Sequence, residues 1–321
     1  MGKSGAFASA LIFALGAYLP AAAAGDVSAA RSALHTLQQQ DARLQTIGWK
    51  LASGNAAFCE DAAPATGLLL QDMAGYSSPD KMREAAGIDG DIAVQAAAPG
   101  SPSDAAGLKA NMAVLTVADI DIAALPQPKA GYERLQSITD IMERRLQDSG
   151  QLAIEVRSGA ETQARIIVLD GVPACPGRFE MITGKKRASA DGTRVLIGTD
   201  FAGLGYPEEE LAAAIAHEMA HNLLYHQVHL NIVGRKQKNI RLTEREADRL
   251  MPWLLANAGY DPAAALRFMQ RWGPRHGGGL FRKRTHDGWD ERAEFIAAEL
   301  PLIRASVEKS GSADWSADFI R

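Results

Sequence analysis

The residues most able to do chemistry stand in one short run, His217-Glu218-Met219-Ala220-His221. Positions four apart share a face of an α-helix, so both imidazoles can reach one zinc ion. Glu218 is turned from His217 by about 100°. That rotation keeps it off the ion but within reach of a water on it. The alternative is a pair of core histidines bonded to backbone groups. Catalytic zinc takes three protein ligands and leaves one position open, so a third ligand must lie elsewhere. In Leu242-Thr243-Glu244-Arg245-Glu246-Ala247-Asp248, Glu244 and Asp248 are four apart on one face. Glu244 is read as the ligand, and Asp248 as the acceptor that orients a ligand imidazole through its other nitrogen. Glu246 is turned away by about 200°. It is the rival ligand, and otherwise a solvated charge. Thr243 would cap a helix starting here.

The elements that must hold these groups can also be read. Pro207 suits a first helical position, and Glu208, Glu209 and Glu210 suit a helix N-terminus. Leu211 to Ala216 is apolar almost all round, which predicts a buried helix. His226 and His229 leave the His217/His221 face and read as surface or packing residues. His276, beside three glycines, reads as part of a mobile loop, and Arg282-Lys283-Arg284 as a solvated run or a cleft wall. Pro252 predicts a kink after Asp248.

Upstream, residues 27–58 repeat Leu34, Leu37, Leu44, Ile47 and Leu51 at helical intervals. Residues 88–170 change character. Ile92–Val94, Val114–Val117, Leu152–Val156 and Ala164–Leu169 read as strands, with a helix over Tyr132–Gln147. The chain's two cysteines, Cys59 and Cys175, flank this β-rich stretch. Two cysteines cannot build a disulfide scaffold, but in an oxidising compartment they can form one bridge. Two buried free thiols are the alternative.

The compartment follows from the N-terminus. Lys3 precedes an uncharged stretch that ends in Ala21-Ala22-Ala23-Ala24, with no further charge before Asp26. This has the form of a secretory signal, residues 1–24, cleaved after Ala24. An uncleaved membrane anchor is the rival reading. No later segment is apolar and long enough to span a bilayer, so a periplasmic or otherwise exported, soluble mature protein is expected. The net charge of −4 in 321 residues argues against electrostatic coating of nucleic acid. At roughly 150 residues per domain, the length suggests about two domains.

Two resemblances add to this reading. Ser101-Pro102-Ser103-Asp104-Ala105-Ala106-Gly107-Leu108-Lys109 resembles the small-residue stretch of bacterial PDZ domains. That implies extended-peptide binding, often of free C-termini. Ala110-Asn111 stands where such domains usually carry Gly-Asp, so the turn is altered. The H-E-x-x-H motif with Glu244-x-Glu246-Ala247-Asp248 resembles the zinc metallopeptidase family of the CAAX prenyl protease and the heat-shock protease HtpX. Ala258-Gly259-Tyr260-Asp261-Pro262, Thr285-His286 and Glu291-Arg292 extend the likeness over about residues 178–305. It implies Glu244 as the third zinc ligand, and a site role for His286 beside its plain alternative of helix capping or surface. The chain departs from the family at Arg187 to Gly192, where an Asn-Ala-Phe-Ala-like edge strand is usual, and at Asp287, which replaces a Pro. It also lacks the C-terminal helical repeats and the membrane helices of some relatives.

The expected fold is α+β, with an N-terminal helical segment (25–87), a PDZ-like mostly-β domain (88–174) and a helix-rich zincin domain with a small sheet (175–321). The expected activity is zinc-dependent endopeptidase action on unfolded or misassembled envelope proteins. Glu218 would be the general base on a zinc-bound water, and His286 or Arg292 would help at the oxyanion. Substrate would lie along Val195–Ile197 or the strand before it. The runner-up is a PDZ-containing binding or chaperone-like protein with a latent or structural zinc site.

Overall fold

The structure is a computed structural model that describes residues 21–126, 132–159, 161, 163–276 and 287–321. It is an α+β fold. The chain opens with a long helix, α1 (Ala21–Gly54), whose first turn contains the expected cut site after Ala24. It continues through β1 (Ala63–Ala65), β2 (Leu68–Asp72), α2 (Pro79–Ala86), β3 (Ile92–Ala97), α3 (Pro102–Ala105), β4 (Ala113–Val117) and β5 (Ile120–Asp121). Then come α4 (Glu133–Ser149), β6 (Gln151–Arg157), β7 (Arg165–Asp170) and β8 (Val172–Ala174). The last part holds β9 (Arg178–Ile182), β10 (Ala188–Ala190), β11 (Arg194–Gly198), α5 (Glu208–Leu223), α6 (His226–Val233), α7 (Gln237–Asn257), α8 (Ala264–His276) and α9 (Trp289–Ser310). Among the described residues, no helix is long and apolar enough to cross a membrane.

The β-rich stretch is a six-stranded sheet in the order β2-β3-β4-β6-β7, with β5 paired to β4. Its strands alternate, so Ile92, Val94, Leu152, Ile154 and Val156 pack against Ile138, Met142 and Leu146 of α4. The sheet begins at Leu68, upstream of the expected boundary at residue 88, because β2 pairs antiparallel with β3. Leu68-Leu69-Leu70 is too short an apolar run to distinguish strand from helix by period. At the altered turn Asn111 adopts φ 66°, a left-handed conformation that Asn tolerates better than most residues. Its Oδ1 accepts hydrogen bonds from Gln38 Nε2 (2.7 Å) and Gln71 Nε2 (3.3 Å). At the end of β2, buried Arg134 grips Asp72 through two bonds and Asp91 through a third.

The second sheet is small, in the order β10-β11-β9, with β11 antiparallel to β10 and parallel to β9. Helix α1 serves both sheets. Leu34 packs with Met73, Ala93 and Ala113 against the six-stranded sheet. Leu44, Ile47 and Leu51 enter the core of the small sheet and the C-terminal helices, with Phe179, Ile197, Leu254 and Trp253. Gly48 is required for this approach, since a Cβ there would stand 2.3 Å from the Phe179 ring. The N-terminal helix is therefore shared support for both units, not a separate segment.

Cys59 and Cys175 form a disulfide, with Cα atoms 5.5 Å apart. Beside it, β1 pairs antiparallel with β8, and Cys175 N–H bonds Ala52 O at 2.9 Å. The bridge fastens both ends of the β-rich unit to the end of α1.

Candidate metal centre

Helix α5 starts at Glu208, with its three glutamates in the first turn. Leu211 to Ala216 are all buried. The run of small alanines allows α7 to pack closely, with Ala247 fully buried opposite. This packing brings the face carrying His217 and His221 against the face carrying Glu244 and Asp248.

His217 Nε2 and His221 Nε2 lie 3.2 Å apart. Glu244 Oε2 is 3.4 Å from the first, and Glu244 Oε1 is 3.7 Å from the second. The three residues offer ligand atoms all within 4.8 Å of one another. Ligands at about 2.0–2.1 Å from a tetrahedral zinc sit roughly 3.3 Å from each other. The donor set and its spacing therefore fit such an ion. Glu218 is half-buried beside them, and its charge acts on His217.

Each imidazole is backed on its far side. Asp248 Oδ1 is 3.0 Å from His217 Nδ1. A carboxylate only accepts, so in a neutral ring the proton sits on Nδ1 and Nε2 keeps its lone pair for the metal. His221 Nδ1 lies 2.8 Å from His226 Nδ1, and His226 Nε2 lies 2.9 Å from Glu246 Oε2. The same reasoning runs along this row. Glu246 accepts from His226 Nε2–H, so neutral His226 accepts from His221 Nδ1–H. His221 Nε2 is then left free for the metal.

The charges follow this geometry. In the metal-free protein, burial disfavours charge on His217, but Asp248 and then Glu244 outweigh it and push its pKa up to about 10. Burial and the neighbouring His217 hold His221 down to about 3. Burial works against ionisation of Glu246, yet His226 and Arg321 hold it down to about 2. Asp248 is also held below the usual carboxylate range, because Arg292 and His217 overcome its burial.

Several expectations change here. Arg292, expected to help at an oxyanion, is engaged with Asp248: its Nε and Nη2 donate to Asp248 Oδ2 and Oδ1 at 2.6 and 2.7 Å. It stands behind His217, with Asp248 between them. Glu246 is neither a ligand nor solvated; it is buried between His226 and Arg321, whose Nη2 donates at 3.0 Å. His226 is no ordinary packing residue. Helix α5 ends at Leu223, and Tyr225 takes φ 53°, which swings His226 back over His221. No Gly or Pro announces that break, so helical spacing alone placed His226 on the wrong face. Thr243 lies inside α7, bonding Ile240 O at 2.8 Å, and α7 runs through Pro252 to Asn257. His276 closes α8, stacked on Trp272, and is not in a loop. His229 is half-buried, outside the row of bonds. His286 and Arg282-Lys283-Arg284 lie outside the described residues. Next to them, Asp287 ties the start of α9 to Arg245 and Arg241 of α7, and Glu291 caps Gly288 N–H.

Strand edges are the places where an extended chain could pair. Strand β11, holding Val195–Ile197, is central in its sheet, so it has no free edge for a substrate. The edge next to α5 is β10. Its turn into β11 is fixed by Asn222, which accepts from Gly192 N–H (2.8 Å) and donates to Arg194 O (3.1 Å). Asp191 N–H and Arg187 O both bond β11, so by period two Ser189 also faces inward and Ala188 and Ala190 turn their backbone groups outward. On the other side, β2 and β9 both line a cavity of about 660 Å³, with Asp41 and Trp49 of α1 and Leu135 and Met142 of α4.

No protein-family model matches the chain, and no curated protein sequence matches it significantly.

Proposed function

We propose that this chain is an exported zinc-dependent endopeptidase that cuts unfolded or misassembled envelope proteins. The observation that carries this reading is the convergence of His217 Nε2, His221 Nε2 and Glu244 on one point, with Glu218 beside it. The motif resemblance and the disulfide, which suits an oxidising compartment, support it. Zinc bound there would supply a Lewis acid for the scissile carbonyl and lower the pKa of the attacking water. Glu218 takes that water's proton and returns it to the leaving amine nitrogen. Asp248 and the His226–Glu246 pair hold the two imidazoles in the tautomer that presents Nε2. A substrate chain lies extended along the outward groups of β10. The cavity between β2, α4 and β9 supports a second, peptide-accepting role for the PDZ-like unit.

Glu218→Gln tests the reading. The variant should keep its zinc and lose cleavage of unfolded polypeptides. Undiminished cleavage by this variant, with contaminating proteases excluded, overturns the assignment. Zinc-loaded wild type that binds unfolded chains without cutting them supports the binding or chaperone-like alternative.

A further inference from the structure

The connection between the two metal-facing helices carries a surface that hydrolysis does not use. From Met219 to Thr243 the sequence holds no Asp or Glu, yet it carries Arg235, Lys236, Lys238 and Arg241 in a chain of net charge −4. The same stretch concentrates exposed apolar side chains. Val228 is 55% exposed, Ile232 80% and Val233 42%. Val228 and Ile232 are four apart on the outer face of α6, while His226 and Leu230 are buried beneath. Arg235, Lys236 and Lys238 follow at once and are all exposed. Arg235 bonds a neutral neighbour, Asn231 Oδ1, at 3.3 Å. Ile320, 77% exposed, comes to the near end of α6, because Arg321 Nη2 donates to Leu224 O. The surface stops at Tyr225, whose hydroxyl bonds Asp61.

We propose that the outer face of α6 and the turn into α7 form a docking surface for an anionic lipid bilayer. Aliphatic tips on a convex helix, bordered by cations, match a headgroup layer, where apolar atoms enter the acyl boundary and cations stay with the phosphates. Neither part is enough alone. A few aliphatic tips partition weakly, and the field of the cations is screened over a Debye length of about 8 Å. Together they make a reversible, salt-sensitive attachment that requires anionic lipid. The acidic remainder of the chain is repelled from the same surface, which sets one orientation. Helices α5 and α7, with the candidate metal centre, then stand next to the bilayer. This inference does not depend on the proposed hydrolysis.

Vesicle flotation of the full chain, cut after its signal, is the test. Vesicles enriched in phosphatidylglycerol should carry the protein, and pure phosphatidylcholine vesicles should leave it behind. High salt should release it. Lys236→Glu with Lys238→Glu, and separately Ile232→Ser, should each weaken binding by roughly tenfold or more. Circular dichroism and zinc affinity should stay as in the wild type. Equal binding to both vesicle types, no binding to either, or full binding by the charge-reversed variant overturns the proposal. Failure on vesicles with saturable binding of an acidic protein through the same residues also overturns it, and makes the face a protein interface.

Discussion

Asp248 is held by Arg292 through two hydrogen bonds of 2.6 and 2.7 Å, and the same carboxylate stands 3.0 Å from His217 Nδ1. The arginine therefore backs the His217 ring through an acid. Arg292→Ala would leave a buried carboxylate without its counter-charge, which typically costs about 3–5 kcal/mol. Zinc affinity should fall roughly 10–100-fold, as when an outer partner of a ligand is lost. Arg292→Lys should recover little, because a single ammonium cannot replace the two-pronged contact. Urea unfolding and competitive zinc titration read the two effects separately. Wild-type zinc affinity in Arg292→Ala would remove Arg292 from this role.

His226 is the matching support for the other imidazole. His226→Phe keeps much of the buried volume and removes both nitrogens, so His221 loses the acceptor for its Nδ1–H. Zinc affinity should drop about 10–100-fold. Glu246→Gln should produce a smaller drop in the same direction, since the amide oxygen of the new side chain could still accept from His226. If both variants bind zinc as the wild type does, the row of bonds behind His221 has no influence on the site.

The outward groups of β10 give a test of substrate placement. Ala190→Pro removes an N–H that points away from β11 and leaves the β10–β11 bonds intact. One lost backbone hydrogen bond is worth about 0.5–1.5 kcal/mol, so kcat/KM on extended polypeptides should fall up to about tenfold. Zinc content and thermal stability should change little. The same change at Ser189 should destabilise the sheet instead, because its N–H faces β11.

Asp41 links α1 to both sheets, accepting from Gln95 Nε2 at 2.5 Å and Met181 N–H at 3.3 Å. Burial pushes its pKa up to about 6, against those hydrogen bonds, and Glu180 adds to the rise. The folded state thus holds this proton more tightly than the unfolded chain. Stability from this group is full below about pH 4 and is lost as pH rises from there through about 6, by roughly 3 kcal/mol in total. Asp41→Asn lacks that loss. Unfolding measured from pH 4 to pH 7 should move the stability difference in the variant's favour as pH rises. A constant difference would show that Asp41 titrates as an ordinary carboxyl.

The legible parts of this molecule were those governed by local repetition. His217 and His221, Glu244 and Asp248 are helix-face pairs, and α5 and α7 keep each pair together. The strands around Val114, Leu152 and Ile166 stand out as β-branched or aliphatic runs and fall within a residue of their observed ends, while the run from Ile92 continues three residues further, to Ala97. The two cysteines paired as their positions around the β-rich unit suggested. What stayed hidden depends on breaks and long-range contacts. The turn at Tyr225 repositions His226 without a Gly or Pro to mark it. Glu246 meets Arg321 from the far end of the chain, and no spacing rule links them. The contact of Arg292 with Asp248 joins α9 to α7 across 44 residues, which no spacing rule links. The sequence left open whether substrate pairs with Val195–Ile197 or with the strand before it, because the partners of Val195–Ile197 come from runs too short or too polar to stand out.

The row from His221 to Arg321 also has a consequence for biosynthesis. A chain delivered N-terminus first presents His217, His221 and Glu244 well before Arg292, and Arg292 well before Arg321. The metal-facing side chains therefore emerge ahead of the groups that orient them. Both imidazoles have their full backing only once Arg321 has been added to the chain. The centre matures late, and a chain still being synthesised carries it in an unfinished form.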